Sequence, residues 1–278
     1  METQKRIGLL GCGWLGFPLA KEIIRMGFEV RGSTSSPHKI PDLNEAGIVP
    51  FLVQFNHALP DPDLAALLNA DILIVLIPPD GRSKDGPQNY KKMAQALQKQ
   101  ILSSRVSKII FISSTSVYAD NNAVVSESSE VSPETASGKI LVEVEQLILQ
   151  LPVKTVILRL AGLFGPGRLP GRFFAGKMNI PNGRAPVNMI HQEEVINLIV
   201  KLIDSESAEG VYIGCTPSHP SKQEFYSLAS SLEQLEPPAF INEKLKWKEV
   251  TSERIEEELA FSFRVPSLID RLYDSIKA

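Results

Sequence analysis

Residues 6–22 read Arg6-Ile7-Gly8-Leu9-Leu10-Gly11-Cys12-Gly13-Trp14-Leu15-Gly16-Phe17-Pro18-Leu19-Ala20-Lys21-Glu22. A short apolar run ends on glycines at 11, 13 and 16, and an amphipathic stretch follows. The spacing G-x-G-x-x-G carries weight only between a strand and a helix, and here both flank it. In that setting Gly11 permits the turn, Gly13 lets the backbone approach a pyrophosphate, and Gly16 lets the helix close on the sheet. The phosphates would rest on the helix N-terminus, where backbone N–H groups and the dipole favour negative charge. Lys5-Arg6 ahead of an apolar run also resembles the start of a signal peptide. The fixed glycine offsets and the polar Lys21-Glu22 fit a strand–turn–helix better.

Outward from this point, the first half alternates short apolar runs with amphipathic segments, the order of a parallel sheet covered by helices. Strands are expected at residues 6–10, 28–32, 49–54, 72–77, 108–113 and 154–159, and helices at 15–26, 61–68, 89–104 and 135–151. In the third helix Tyr90, Met93, Leu97 and Ile101 make one stripe, while Lys91, Lys92, Gln95, Gln98 and Lys99 face outward. That polar outer face argues against a seam between subunits. The fourth helix is more apolar, so monomer and homodimer both stay open. Beyond Arg159 the texture changes, with ten glycines and prolines between residues 162 and 186, the mark of a long shaped loop. A helix at 193–204, a strand at 210–213 and a polar tail with one or two helices complete the order.

The expected fold class is therefore α/β, a Rossmann-type doubly wound parallel sheet with a smaller, mostly C-terminal α+β substrate domain. Residues 1–161, with 187–214 returning, would form the first domain, and 162–186 with 215–278 the second. Hydrophobic residues at 43% and charged residues at 22% of 278 are ordinary for a folded chain. A net charge of -3 gives no electrostatic reason to expect nucleic acid or an anionic membrane as partner. Cys12 and Cys215 are far apart, so a reducing cytoplasmic setting is expected, and neither they nor the four histidines have metal-ligand spacing. Cys12 reads as a small filler in a tight turn.

The second strand bears on the cofactor. A site for NAD places a carboxylate about 20 residues beyond the glycines to hold the adenosine ribose. At that point the chain reads Arg31-Gly32-Ser33-Thr34-Ser35-Ser36-Pro37-His38-Lys39. No carboxylate is there to repel a 2′-phosphate, and the hydroxyls of Ser33, Thr34 and Ser35, with Arg31 or Lys39, suit one. NADP(H) is the preferred cofactor on this reading, with NAD(H) as the alternative.

Phe111-Ile112-Ser113-Ser114-Thr115-Ser116-Val117-Tyr118 resembles the "SS-x-x-VYG" stretch of the extended short-chain dehydrogenases/reductases, the nucleotide-sugar epimerase and dehydratase group. Arg159-Leu160-Ala161-Gly162-Leu163-Phe164-Gly165-Pro166-Gly167-Arg168 is similar to that family's "R-x-a-x-x-YGPG" loop. Asn188-Met189-Ile190-His191-Gln192-Glu193-Glu194-Val195 is similar to its "I-H-v-D-D" helix start. The resemblance implies Ser114 as the catalytic hydroxyl. It also implies cofactor contacts from Gly11, Gly13, Trp14, Leu15, Gly16, Ile77, Pro78, Pro79, Ser113, Lys139, Leu160, Ala161 and Gly162. Substrate contacts would come from Phe164, Arg168, Arg172, Arg184, Asn188 and His191.

The family's Y-x-x-x-K is where this chain departs. Lys139 is present, but Thr135 stands where the tyrosine should be. A tyrosine beside a lysine and a nicotinamide can ionise near neutral pH, whereas a threonine hydroxyl does not. General acid/base catalysis contributes roughly 10²–10⁴-fold, so another group must serve if the chemistry is retained. Tyr118 and His191 are the candidates, although each has a structural role available. Tyr273 to Lys277 also has the spacing, at the far end of the chain. The resemblance implies an atypical member lacking the catalytic tyrosine. It would be an oxidoreductase or epimerase-like enzyme on a sugar-nucleotide-like or other polar hydroxyl or keto metabolite. The alternative is a catalytically silent dinucleotide sensor.

Overall fold

The computed structural model describes residues 4–55, 62–79 and 86–277. The expected helix start at Asp61 and the histidine at position 57 lie outside the described residues. In chain order the elements are β1 (Arg6–Leu10), α1 (Gly16–Arg25), β2 (Glu29–Thr34), α2 (Ile40–Glu45), β3 (Val49–Leu52), α3 (Pro62–Leu67), β4 (Ile72–Val75), α4 (Gly86–Ile101), β5 (Lys108–Ser114) and β6 (Ala123–Val125). They continue with α5 (Ala136–Leu149), β7 (Lys154–Leu160), β8 (Gly162–Phe164), β9 (Met189–His191), α6 (Gln192–Asp204), β10 (Gly210–Gly214), α7 (Lys222–Leu232), β11 (Lys248–Val250), α8 (Glu253–Glu257) and α9 (Leu268–Lys277).

Ile72-Leu73-Ile74-Val75 is apolar and buried at every position, which suits a strand covered on both faces. It is the middle strand of a seven-stranded sheet ordered β10-β7-β5-β4-β1-β2-β3. The pairs β1–β2, β2–β3, β1–β4 and β4–β5 are parallel. Strand order runs outward in opposite directions from β1 and β4. Their carboxyl ends therefore mark the crevice where doubly wound sheets take ligands.

The helices bury the stripes expected of them. Tyr90, Met93, Leu97 and Ile101 of α4 are buried, as are Ile140, Leu141, Val144 and Ile148 of α5. The α4 helix stops at Ile101 because Ser103 and Ser104 turn their hydroxyls back onto the Gln100 and Ile101 carbonyls. The β2 strand runs on to Thr34, two residues beyond expectation, paired with β3 from Arg31 to Thr34.

Two compact units emerge. One holds the described residues of 1–117 with 133–158 and 199–211; the other holds 118–132, 159–198 and 212–278. Residues 118–132, 159–161, 187–198 and 212–214 thus group with the second unit, unlike the expected division. The reason lies in two small parallel pairs: β6 joins β11 and β8 joins β9, so neither β6 nor β9 adds to the large sheet. The second unit has its own apolar cluster around Phe164, Val187, Met189, Phe225, Ala229, Leu268 and Leu272. No described helix is long and apolar enough to cross a membrane, and no described cluster of His, Cys, Asp or Glu could hold a metal ion.

Candidate functional site

The glycine loop joins β1 to α1, and its three glycines have three different reasons. Gly11 has φ +113°, a conformation closed to most side chains. At Gly16 an added Cβ would stand 2.1 Å from the Gly11 carbonyl oxygen, so only glycine lets the helix close here. Gly13 is exposed, and an added Cβ would meet nothing within 4 Å. The space over Gly13 is therefore open to a ligand that approaches the backbone. Leu15 caps α1 without a side-chain hydrogen bond, and no acid sits in the first turn. This N-terminus suits an anion.

The loop is braced by the end of β2. Cys12 N donates to the Ser33 carbonyl at 2.8 Å, and Gly11 N donates to Ser33 Oγ at 2.9 Å. Cys12 fills the gap over Gly32, where a Cβ would lie 2.5 Å from its sulfur. Burial pushes the Cys12 thiol up to about 12, so it is packing material and not a nucleophile at neutral pH. Beyond Gly11, Ile77 lies against the turn, with Pro78 exposed beside it.

Bracing also changes what β2 offers to a phosphate. Arg31 donates from Nε and Nη2 to the Ala66 carbonyl, pairs with Glu29 at 3.2 Å and lies over the Phe51 ring. Its guanidinium ties α3 and β3 to the sheet instead of facing solvent. Ser33 is spent on Gly11 N, and Thr34 Oγ1 accepts from Ser36 N at 3.1 Å. Of the residues expected to receive a 2′-phosphate, only Ser35 and Lys39 are exposed.

At the end of β5, Ser114 Oγ accepts from Ser116 N at 3.1 Å. Gly138 of α5 packs on the Ser116 carbonyl, 2.5 Å from where a Cβ would sit. This contact brings the first turn of α5, with Thr135 and Lys139, against the segment that carries Ser114. Thr135 is the N-cap of α5 and accepts from Gly138 N at 3.0 Å. Its hydroxyl does the work of a helix cap, worth about 1 kcal/mol. Lys139 is exposed one turn later. Ser113, expected to meet cofactor, instead donates its hydroxyl to Glu145 Oε1 at 2.5 Å, with both residues buried. Glu145 escaped the sequence reading, although its position was a signal. It is a lone carboxylate four residues after Leu141 and three before Ile148, on the buried stripe.

The second unit takes several expected ligand residues into its own structure. Tyr118 is 2% exposed, receives a hydrogen bond from Arg159 Nη1 at 2.6 Å and has that guanidinium over its ring. This is a packed residue and not an acid/base group. Phe164 is fully buried in the apolar cluster, so it cannot touch substrate. Asn188 donates to the Lys248 carbonyl and accepts from Val250 N, so its amide ties β11 in place instead of meeting a ligand. Ala161 N donates to the Gly214 carbonyl, Gly162 N donates to the Asn188 carbonyl, and Leu160 is buried. Arg168, Arg172 and Arg184 are exposed, Arg172 with Glu233 at 3.8 Å.

His191 accepts from Glu193 N through Nδ1 and stands edge-on to Phe164. Burial, and then the charge of Arg271, push it down to about 4, so at neutral pH the ring is uncharged and there is no imidazolium to act as a general acid. Arg271 was not anticipated. It spans Glu193 at 2.9 Å and the buried Glu194 at 2.8 Å, fixing the start of α6 to α9. Nothing local in the sequence pairs residues so far apart.

No family model matches the chain. Protein YeeZ of Escherichia coli (strain K12) is 40% identical over 268 residues, covering 95% of this chain and 97% of that protein. A short-chain dehydrogenase/reductase superfamily protein from Agrobacterium tumefaciens with bound NAD superposes with TM-score 0.81 at 16% identity, over 98% of this chain and 96% of that one. UDP-glucuronic acid 4-epimerase from Bacillus cereus in complex with NAD superposes with TM-score 0.80 at 20% identity, over 98% of each chain. The chain belongs to the family of Protein YeeZ, on the fold of the extended short-chain dehydrogenases/reductases.

Proposed function

We propose that this chain binds a nicotinamide dinucleotide on the loop Gly11–Gly16 and uses it as an oxidoreductase or epimerase-like enzyme. The substrate would be a sugar-nucleotide-like or other polar hydroxyl or keto metabolite. The observation that carries the reading is the open space over Gly13 at an uncapped helix start, a cradle that a methyl group would fill. Two proteins of this fold hold NAD, and one is a UDP-sugar epimerase by name. The pyrophosphate would rest on the first turn of α1, and the nicotinamide would lie by the carboxyl ends of β4 and β5. When bound, the cofactor supplies hydride exchange. The chain's part is to hold the substrate oxygen at Ser114 and the ribose at Lys139.

On this reading the cofactor is NADP(H). No carboxylate stands between Arg31 and Lys39, and the exposed Ser35 and Lys39 supply a hydroxyl and a cation for a 2′-phosphate. The use of the Thr135 hydroxyl as a helix cap favours a second reading, a dinucleotide sensor without chemistry. One set of measurements separates them. NADPH and NADH are titrated into the full-length chain, and a panel of sugar nucleotides and small ketones is then followed by nicotinamide absorbance. Turnover abolished by Ser114→Ala supports the enzyme. Tight binding with no turnover supports the sensor, and tighter NADH than NADPH binding overturns the cofactor preference.

A further inference from the structure

A carboxylate lies buried below the carboxyl end of β5. Glu145 is 2% exposed, on the α5 face otherwise made of Ile140, Leu141, Val144 and Ile148. Ser113, next to Ser114 on β5, donates its hydroxyl to Glu145 Oε1. Tyr90 of α4 is 4% exposed, and its hydroxyl has no hydrogen-bond partner. Burial raises the Tyr90 phenol pKa, and the charge of Glu145 raises it further. Packing does not call for the carboxylate: a buried charge costs stability, and an apolar residue would fill the stripe as its neighbours do.

We propose that Glu145 is an electrostatic positioning residue that makes the site hold the oxidised dinucleotide more tightly than the reduced one. This rests on the reading above that the nicotinamide lies by the carboxyl ends of β4 and β5. The oxidised ring carries a positive charge and the reduced ring none. A fixed negative charge nearby therefore separates the two forms without touching either. Two unit charges about 10 Å apart at an effective dielectric of about 20 interact by somewhat more than tenfold in Kd, which sets the scale of the preference. Ser113 keeps the carboxylate oriented by giving it a proton donor.

The test compares Kd values for NADP⁺ and NADPH by titration calorimetry on the full-length chain. Wild type is set against Glu145→Gln and against the double variant Ser113→Ala/Glu145→Met. The double variant removes both partners of the Ser113–Glu145 hydrogen bond together, so neither is left unpaired by the loss of the other. In each variant the oxidised form is expected to weaken roughly tenfold while the reduced form changes less than about threefold. Tyr90→Phe, which alters the same buried cluster but keeps the charge, is expected to leave the ratio at its wild-type value. Thermal melts identify any variant that does not fold, and the other then gives the reading. Equal weakening of both forms, an unchanged ratio, or a Tyr90→Phe ratio that moves equally far overturns the proposal. If wild type binds neither form, the dinucleotide reading itself falls, a different outcome from binding with an unmoved ratio.

Discussion

Gly13→Ala and Gly16→Ala differ by three positions, and the structure assigns them opposite consequences. At Gly13 a Cβ meets nothing within 4 Å, and φ is not in the left-handed region. The folded chain should accept alanine there with a stability change within about 0.5 kcal/mol. The same methyl occupies the space through which a pyrophosphate must approach the backbone. Loss of one charge-assisted N–H···O bond is worth about 1.5–3 kcal/mol, or roughly 10- to 150-fold in Kd. At Gly16 the Cβ would stand 2.1 Å from a backbone carbonyl oxygen that cannot swing away, so α1 must shift off the turn. That overpacking costs about 1–3 kcal/mol before any ligand is added. Thermal melts with and without NADPH, and titration by nicotinamide fluorescence, separate the two. Gly13→Ala should melt like wild type and lose the cofactor-induced shift; Gly16→Ala should melt lower in both conditions. Wild-type affinity in Gly13→Ala would refute the placement of the pyrophosphate on this loop.

Other consequences follow from buried groups. Arg271→Met strips the cation from Glu194, which is 1% exposed, and should cost about 3–5 kcal/mol in urea unfolding. Adding Glu194→Leu should recover most of it, and a single-variant loss below about 1 kcal/mol would count against the pair. His191 is held near 4 in the folded chain against an ordinary 6.5, so the unfolded chain takes up the proton first. Its contribution is whole above pH 6.5 and disappears as pH falls towards 4, by about 2–3 kcal/mol. His191→Gln should flatten that part of the stability–pH curve; an unchanged slope would show that the ring titrates normally. Cys12 and Cys215 are both buried, with thiols pushed up by desolvation. Neither should react with a disulfide reagent at pH 8 until denaturant is added, and fast labelling of the folded chain would contradict the packing around Gly32.

Legibility in the sequence followed the range of the forces involved. The strand–turn–helix at residues 6–25 was readable because glycine spacing, apolar run and helical stripe are all local. The β4 and β5 strands were readable because burial on both faces leaves an unbroken apolar run. The small pairs β6–β11 and β8–β9 were not, since three-residue strands carry no period and their partners stand far off in sequence. The same limit governed the site. Arg31, Tyr118 and Asn188 have the chemistry of ligand residues, but each spends its polar atoms on a partner distant in sequence. Arg31 holds Ala66, Tyr118 takes Arg159, and Asn188 holds Lys248 and Val250. Side-chain type shows what a residue can bind, and only the fold shows what has already claimed it.

That distinction bears most on Thr135. The proposed dinucleotide binding rests on backbone features, namely the turn at Gly11, the open face of Gly13, the helix start and the order of β4 and β1, none of which needs a particular side chain at position 135. Acid/base chemistry rests on side chains, and the Thr135 hydroxyl is committed to Gly138 N. A phenol at 135 could not make that cap, so threonine there is a gain for α5 and not merely a missing tyrosine. Proton transfer to or from a substrate oxygen beside a bound nicotinamide would then need another group that ionises. Among the described residues around the end of β5 the first unit supplies Lys139, exposed one turn into α5, and Glu145, buried behind Ser113. A lysine lends charge to a ribose without needing to give up its proton, and a carboxylate that cannot reach solvent acts through its field. The arrangement favours holding and polarising a cofactor, and it leaves Ser114, half-buried at the end of β5, as the point where a substrate oxygen would have to be met.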